Sequence, residues 1–306
     1  MREICHHLKE LLRDAVERDP ADAILLSGGI DTSSIAVVSS VEEAFTVVLG
    51  DAPDLYYSKK VAEIFDYEHH IIRVTEDEAL REIPEVIKIL KTFDPAIPND
   101  LAIYLGLKEA RMCKVKSIMT GDGADELFAG YSFMHELDPD DLKKYIRNLS
   151  RTMQFSSNIL GREIGVEIKQ PFVCREVVKF ALEVDLSLKI KKVGDKKYGK
   201  WVLRRAFEDD IPDIIWRDKA PIELGSGFFG LRETIRSRIS DDDFKRKIEE
   251  YDMKFINKEH LFFYEIYKDV VGDIPKAGEG EICPFCNAAI DLPKAHCYIC
   301  GHSPPL

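Results

Sequence analysis

Ala23-Ile24-Leu25-Leu26-Ser27-Gly28-Gly29-Ile30-Asp31-Thr32-Ser33-Ser34 is the stretch that decides the fold. A short apolar run, met at once by two glycines and then by a helix-compatible stretch, predicts a strand, a tight turn and a helix. Glycines let backbone come close to an anion. The following helix aims free N–H groups and the positive end of its dipole at the same spot. The hydroxyls of Ser27, Thr32 and Ser33 are placed to donate to phosphate oxygens. The lysine of G-x-x-x-x-G-K-[ST] is missing, so this is no Walker loop. An ordinary βα turn with a hydroxyl cap is the bland alternative, and the loop's place at the carboxyl end of the first strand weighs against it.

Outward from this unit, residues 3–18 read as an amphipathic helix with Ile4, Leu8, Leu11, Leu12 and Ala15 on one stripe, ended by Asp19-Pro20. Strands are predicted at 45–49, 70–74 and 117–120, with helices at 54–66, 76–91 and 101–114. Short apolar strands alternating with helices indicate an α/β fold with a parallel sheet, and ligands then sit beyond the carboxyl ends of the strands. From about Leu137 the strand signals stop, and 137–271 reads as mostly helical, broken at Pro171, Pro212 and Pro221. The polar, Gly- and Pro-rich stretch Gly272–Glu281 reads as a linker, so the expected division is 1–272, a linker at 273–281, and a small unit at 282–306.

The net charge of −12 leaves no global electrostatic footprint for nucleic acid. No apolar run approaches the ~20 residues that span a bilayer, and the N-terminus lacks the pattern of a signal peptide, so no membrane partner and a cytoplasmic location are expected.

A second loop follows the strand at 117–120: Thr120-Gly121-Asp122-Gly123-Ala124-Asp125-Glu126-Leu127-Phe128-Ala129-Gly130-Tyr131. Asp122, Asp125 and Glu126 are costly to crowd together unless they meet cations or move protons. In a parallel sheet this loop leaves the same edge as the phosphate loop. Asp31 and Asp125 are thereby candidates to hold Mg²⁺ on pyrophosphate oxygens. The bland alternative is a solvated acidic turn.

With these loops in view, the sequence resembles the synthetase domain of asparagine synthetases, one of the PP-loop ATP pyrophosphatases. The resemblance covers roughly residues 1–230 and is carried, in order, by LLSGGIDTSS, FTVVLGDAPDLYYSKKVAE, YEHHII, TGDGADELFAGY, GVEIKQPFV and GKWVLRRAFEDDIPDIIWRDK. It implies an ATP-dependent, AMP- and pyrophosphate-forming amide ligase acting on aspartate or a related acid. Ser27, Gly28, Gly29, Asp31, Thr32, Ser33 and Asp125 would bind pyrophosphate and Mg²⁺, and Leu25, Val47 and Gly121 would line the adenine and ribose site. Lys200 would hold phosphate charge, Arg217 and Lys219 would face the site, and Asp122 and Glu126 join Lys200 as the catalytic set. Three departures fall near the acceptor. Asp122 stands where the family carries Glu, Lys169-Gln170-Pro171-Phe172-Val173-Cys174 replaces Arg-x-Pro-Phe-x-Asp, and APIELGSG follows Lys219.

Glutamine-dependent members open with a glutaminase domain whose nucleophile is a cysteine just after the initiator Met. Cys5 lies instead in a helix pattern close to the phosphate loop, so it is expected to be a core or surface thiol. Nitrogen is then expected from free ammonia, a separate glutaminase subunit or another donor. At the other end, Cys283-Pro-Phe-Cys286 and Cys297-Tyr-Ile-Cys300 form C-x₂-C-x₁₀-C-x₂-C, the pattern of one structural, tetrahedral Zn²⁺. His296 and His302 are spare ligands in that reading, and the ribbon is a candidate contact for a protein or RNA partner. Two other functions compete: a tRNA-modifying enzyme of the thiolation type, and a non-catalytic adapter derived from a synthetase.

Overall fold

The computed structural model describes residues 1–251, 253–275, 281–290 and 297–303. Five parallel strands form one sheet: β1 (Ala23–Leu25), β2 (Glu43–Leu49), β3 (Glu68–Val74), β4 (Ser117–Met119) and β5 (Glu167–Lys169), in the order β3-β2-β1-β4-β5. The register runs Ala23 opposite Glu43 on one side and Ala23 opposite Ile118 on the other. The chain therefore winds outward from β1 through β2 to β3, then returns to place β4 on β1's free side. That reversal opens a crevice between the loops after β1 and β4, where open α/β sheets bind ligands.

Helices cover both faces, since strands buried on both sides need two apolar layers. In chain order these are α1 (Arg2–Arg18), α2 (Ile30–Val38), α3 (Pro53–Ile64), α4 (Glu76–Leu90) and α5 (Ile97–Met112). Next come α6 (Ala124–Leu127), α7 (Pro139–Thr152), α8 (Ser156–Ile164), α9 (Arg175–Glu183) and α10 (Trp201–Phe207). The last five are α11 (Pro212–Ile215), α12 (Ile222–Gly225), α13 (Gly230–Ser237), α14 (Asp241–Glu250) and α15 (Lys258–Val270). Alternate strand residues divide between the layers. Phe45 and Val47 join Ile83, Ile87, Leu101 and Phe263 on one face, while Ile24 and Ala44 join Leu8, Leu12, Ile35, Phe172 and Leu203 on the other. Local signals agree with this frame: Thr75 and Glu78 close a capping box on α4, and Asp138 caps α7.

Beyond 137 the sequence reading needs correction. β5 is a fifth strand of the sheet, and β6 (Lys191–Val193) pairs antiparallel with β7 (Lys196–Tyr198). Each has three mostly charged residues and no apolar run, and four of the six strand residues of the hairpin are lysines. Cys5 proves to be a core thiol on α1. The linker expected at 273–281 lies partly outside the described residues. The first cysteine knuckle, Cys283–Cys286, sits in a small hairpin of β8 (Glu281–Ile282) and β9 (Ala289–Ile290).

Candidate active site

A cleft of about 790 Å³ opens at the carboxyl edge of β1, β2 and β4. Leu25, Ser27, Gly29, Asp31, Thr32, Val47, Gly121, Asp122, Asp125, Glu126, Lys200, Arg217 and Lys219 all line it, so most of the predicted residues meet in one place. Two do not. Gly28 has φ +66° and lies so close to α3 that a Cβ would come 2.4 Å from the backbone of Tyr57 and Ser58. Ser33 is fully buried, with no hydrogen-bond partner for its hydroxyl.

The phosphate loop is held by its own hydroxyls. Ser27 Oγ accepts from the Gly29 N–H at 3.1 Å, and the Ser27 N–H donates to Thr32 Oγ1 at 3.3 Å. Across the cleft, Lys200 stands between the two loops, with Nζ 2.7 Å from both carboxylate oxygens of Asp31 and 2.7 Å from Asp125 Oδ1. Its side chain is 3% exposed, which separates it from the other lysines of its basic run. Lys200 adopts φ +56° at the start of α10, and its N–H donates to the Phe128 carbonyl; a non-glycine residue in that region is held there by its surroundings. Gly130 makes room for the pair, because a Cβ there would come 1.8 Å from Asp125 Oδ1. Lys219 also donates to Asp125.

Burial works against the Lys200 ammonium, but Asp125 and Asp31 hold its pKa above the ordinary value. The same burial raises the Asp31 carboxyl. At Asp125 burial is outweighed by Lys200 and Lys219, which keep it below the usual carboxylate range. Burial raises Glu126, whose carboxylate accepts from Tyr131 Oη at 2.5 Å.

Asp122 occupies the far side of the second loop. Its Oδ2 accepts from Thr120 Oγ1 and Ser157 Oγ, each at 2.6 Å, and from Gln170 Nε2 at 2.9 Å. Nearby Asp100 accepts from Ser156 Oγ at 2.5 Å, and burial, backed by Asp94 and Asp122, drives its carboxyl up to about 7. Of the departing segment, only Gln170 reaches Asp122. Lys169 pairs with Asp19 and Glu167, and the Cys174 thiol donates to Glu176, all away from the cleft wall.

Sequence reasoning missed Asp54. It is buried on the first turn of α3, paired with Arg217, whose Nη1 also donates to the Ser27 carbonyl at 3.2 Å. The signal was available, since Asp54 lies inside the matching segment that starts at Phe45 and a buried carboxylate demands a cation. Ser156, Ser157 and Asp100 gave no such signal.

The donor sets suit the expected ions. Asp31 and Asp125 offer the hard carboxylate oxygens that Mg²⁺ takes, and the Lys200 ammonium now bridges them at 2.7 Å from each. Cys283, Cys286, Cys297 and Cys300 are buried, free of disulfides, and have their sulfurs within 4.8 Å of one another. Cys283 and Cys300 are 3.6 Å apart, as are Cys286 and Cys297. Thiolates about 2.3 Å from a tetrahedral Zn²⁺ stand about 3.8 Å apart, so the cage is of the right size. His302 stacks on Phe285, and His296 lies outside the described residues.

A parallel sheet with a hydroxyl-lined phosphate loop and an acidic loop at its switch point defines an α/β protein of the PP-loop synthetase type. The asparagine synthase family model matches residues 7–157 and 146–263, and the chain belongs to that family. A probable glutamine-hydrolyzing asparagine synthetase of Dictyostelium discoideum is 29% identical over 281 residues, 78% of this chain and 50% of its own. One from Schizosaccharomyces pombe is 29% identical over 312 residues, 85% of this chain and 55% of its own. The chain thus spans about half the length of the curated relatives it matches. The solved NMN synthetase of Francisella tularensis aligns with 90% of this chain and 98% of its own at 14% identity and a TM-score of 0.35, a slight likeness. Among the described residues, no helix is long and apolar enough to cross a membrane.

Proposed function

We propose that this chain is an ATP-dependent amide ligase that adenylates a carboxylate, aspartate or a related acid, and then transfers ammonia to it. The observation that carries this reading is the convergence of the phosphate loop, Asp31, Asp125 and the buried Lys200 in one cleft, with Asp122 fixed beside them. An acceptor carboxylate oxygen attacks the α-phosphorus, the bond to the β-phosphate breaks, and pyrophosphate leaves as an acyl-adenylate forms. Ammonia then attacks the acyl carbon, AMP leaves, and one proton is lost from nitrogen.

Each residue has a task in that sequence. The Ser27 and Thr32 hydroxyls and the loop N–H groups hold the β- and γ-phosphates. Lys200 and Lys219 offset charge gathering on the departing pyrophosphate, where fixed cations contribute most. Mg²⁺, held by Asp31 and Asp125, would neutralise the phosphate oxygens. Asp122 takes the proton. Ammonia arrives free, from a separate glutaminase or from another donor. Zn²⁺ at the four cysteines is structural, and the ribbon after the linker at 273–281 offers a surface for a protein or RNA contact. The intact Asp31–Lys200–Asp125 arrangement weighs against a non-catalytic adapter, and Ile30, where thiolation enzymes carry lysine, weighs against tRNA modification.

The test is AMP release with ammonia, Mg²⁺ and a panel of amino acids, with tRNA as a separate arm. Pyrophosphate and AMP are the expected products, and Asp31→Asn abolishes them. Release of ADP and phosphate, or AMP formation with tRNA alone, would sink the reading.

A further inference from the structure

The four-cysteine cluster does not hang free of the body. Its sulfurs share a core with Phe93, Phe263 and Tyr267. The main-chain carbonyl of Ile299, one residue before Cys300, accepts from the Phe93 N–H at 2.8 Å and from Thr92 Oγ1 at 3.1 Å. Thr92 Oγ1 in turn accepts from the Asp94 N–H at 3.1 Å, and Asp94 Oδ1 accepts from the Ala96 N–H at 2.7 Å. Gly301 packs so closely that a Cβ would come 2.4 Å from Asp94 Cγ. Ala96 is the residue that opens α5.

The first turns of α5 are a wall of the cleft. Asn99, Asp100, Ala102 and Ile103 line it, with Asn99 Oδ1 accepting from the Glu223 N–H at 2.8 Å and Asp100 from Ser156. A continuous set of hydrogen bonds therefore runs from the metal cage to that wall: Ile299 to Thr92, Thr92 to Asp94, Asp94 to Ala96.

So short a ribbon has little core of its own, and a metal is what joins its two knuckles into one body. Only a joined ribbon presents the Ile299 carbonyl at a fixed place. Thr92 is 5% exposed, so its hydroxyl has little water to turn to when that carbonyl moves away. We propose that metal at Cys283, Cys286, Cys297 and Cys300 positions the first turns of α5 through Ile299 and Thr92. Thr92 is then a positioning residue for the cleft wall, and the ribbon is a brace for the site as well as a surface. The inference rests on the zinc reading given above, but not on the identity of the acceptor or on the reaction.

Hydrogen exchange on the full metal-loaded chain tests it, read before and after chelation and on Thr92→Val and Thr92→Ser. Chelation and Thr92→Val are each expected to speed exchange over residues 93–103 by about 10-fold, the loss of one buried hydrogen-bonded link. Segments 27–34 and 121–127 should change by less than about twofold, ATP·Mg²⁺ should still bind by calorimetry, and Thr92→Val should keep its zinc. Thr92→Ser retains the hydroxyl and should exchange like the parent. The proposal fails if residues 93–103 stay protected when metal leaves, if Thr92→Val loosens the whole chain evenly, or if the purified chain holds no metal with α5 protected. Loss of AMP formation alone, with this pattern of exchange intact, would strike the ligase reading and leave the brace standing.

Discussion

Asp122 shows what one side chain gains from its neighbours. Three donors converge on Oδ2, from Thr120, Ser157 and Gln170, which fixes the carboxylate plane and turns one oxygen toward the protein. The family's longer Glu reaches further; under the proposed reaction, the fixed, shorter arm asks the acceptor to come closer to the end of β4. General-base help of this kind contributes about 10²–10⁴-fold. Asp122→Asn is therefore expected to slow amide formation by about that factor, while acceptor-dependent ATP–pyrophosphate exchange stays largely intact. If both fall together, Asp122 serves metal or fold; if neither falls, nitrogen transfer has been assigned to the wrong loop. The residue type was legible in the sequence, since TGDGADELFAGY placed the carboxylate in the second loop. Its donors were not, because Ser157 and Gln170 come from α8 and the turn after β5, which only the folded sheet brings near.

Among the elements, legibility followed length and chemistry. The strand–glycine–helix unit at 23–38 announced itself through its apolar run and glycines, and the helix at 76–90 through its apolar period and capping box. β5 and the β6–β7 hairpin did not, because Glu167–Lys169, Lys191–Val193 and Lys196–Tyr198 are mostly charged and lack the apolar run that marked β1 and β4, so their pairing with a neighbour decides their state. Lys200 was named through the family resemblance, but its burial was not legible. In sequence it ends a solvated basic run, and only the turn after β7 carries it into the core. What aims that turn is another buried lysine. Lys189 Nζ donates to the Leu127 carbonyl at 2.5 Å and to the Ala181 carbonyl, tying the ends of α6 and α9 to the segment that leads into the hairpin. Burial drives its pKa down to about 7. With the folded value below the unfolded one near 10.5, the unfolded chain binds more protons between those two values. Stability therefore rises with pH across that window, by at most about 1.4 kcal/mol per unit. Lys189→Met leaves two carbonyls unpaired and is expected to cost about 1–3 kcal/mol in denaturant titrations, with the rise between pH 7 and 10 flattened. An unchanged slope in the variant would show that Lys189 is charged throughout.

At the scale of the molecule, the sheet supplies two neighbouring loops at a switch point, and everything else brings cations, hydroxyls and a wall to them. The net charge of −12 fits this arrangement, because Lys200, Lys219 and Arg217 in the cleft are paired with Asp31, Asp125 and Asp54 rather than forming a broad basic face. The four cysteines were readable from spacing alone. Their seat was not, since nothing in C-x₂-C says which helix the knuckles rest on. That seat gives the last prediction. A chain ending at Gly272 loses the ribbon and bares part of Phe93, Phe263 and Tyr267. Fully burying such rings stabilises by about 1.5–3 kcal/mol each, so partial uncovering should cost about 3 kcal/mol in all. For a domain of this size that lowers Tm by about 6–12 °C. The phosphate loop, Asp31, Asp125 and Lys200 belong wholly to the remaining part, so the shortened chain is expected to contain no zinc and still bind ATP·Mg²⁺ by calorimetry. A shortened chain that stays folded by circular dichroism but has lost nucleotide binding would place the ribbon inside the ATP site and overturn the division at 273–281. An unchanged Tm would instead mean that the ribbon rests on the body without stabilising it.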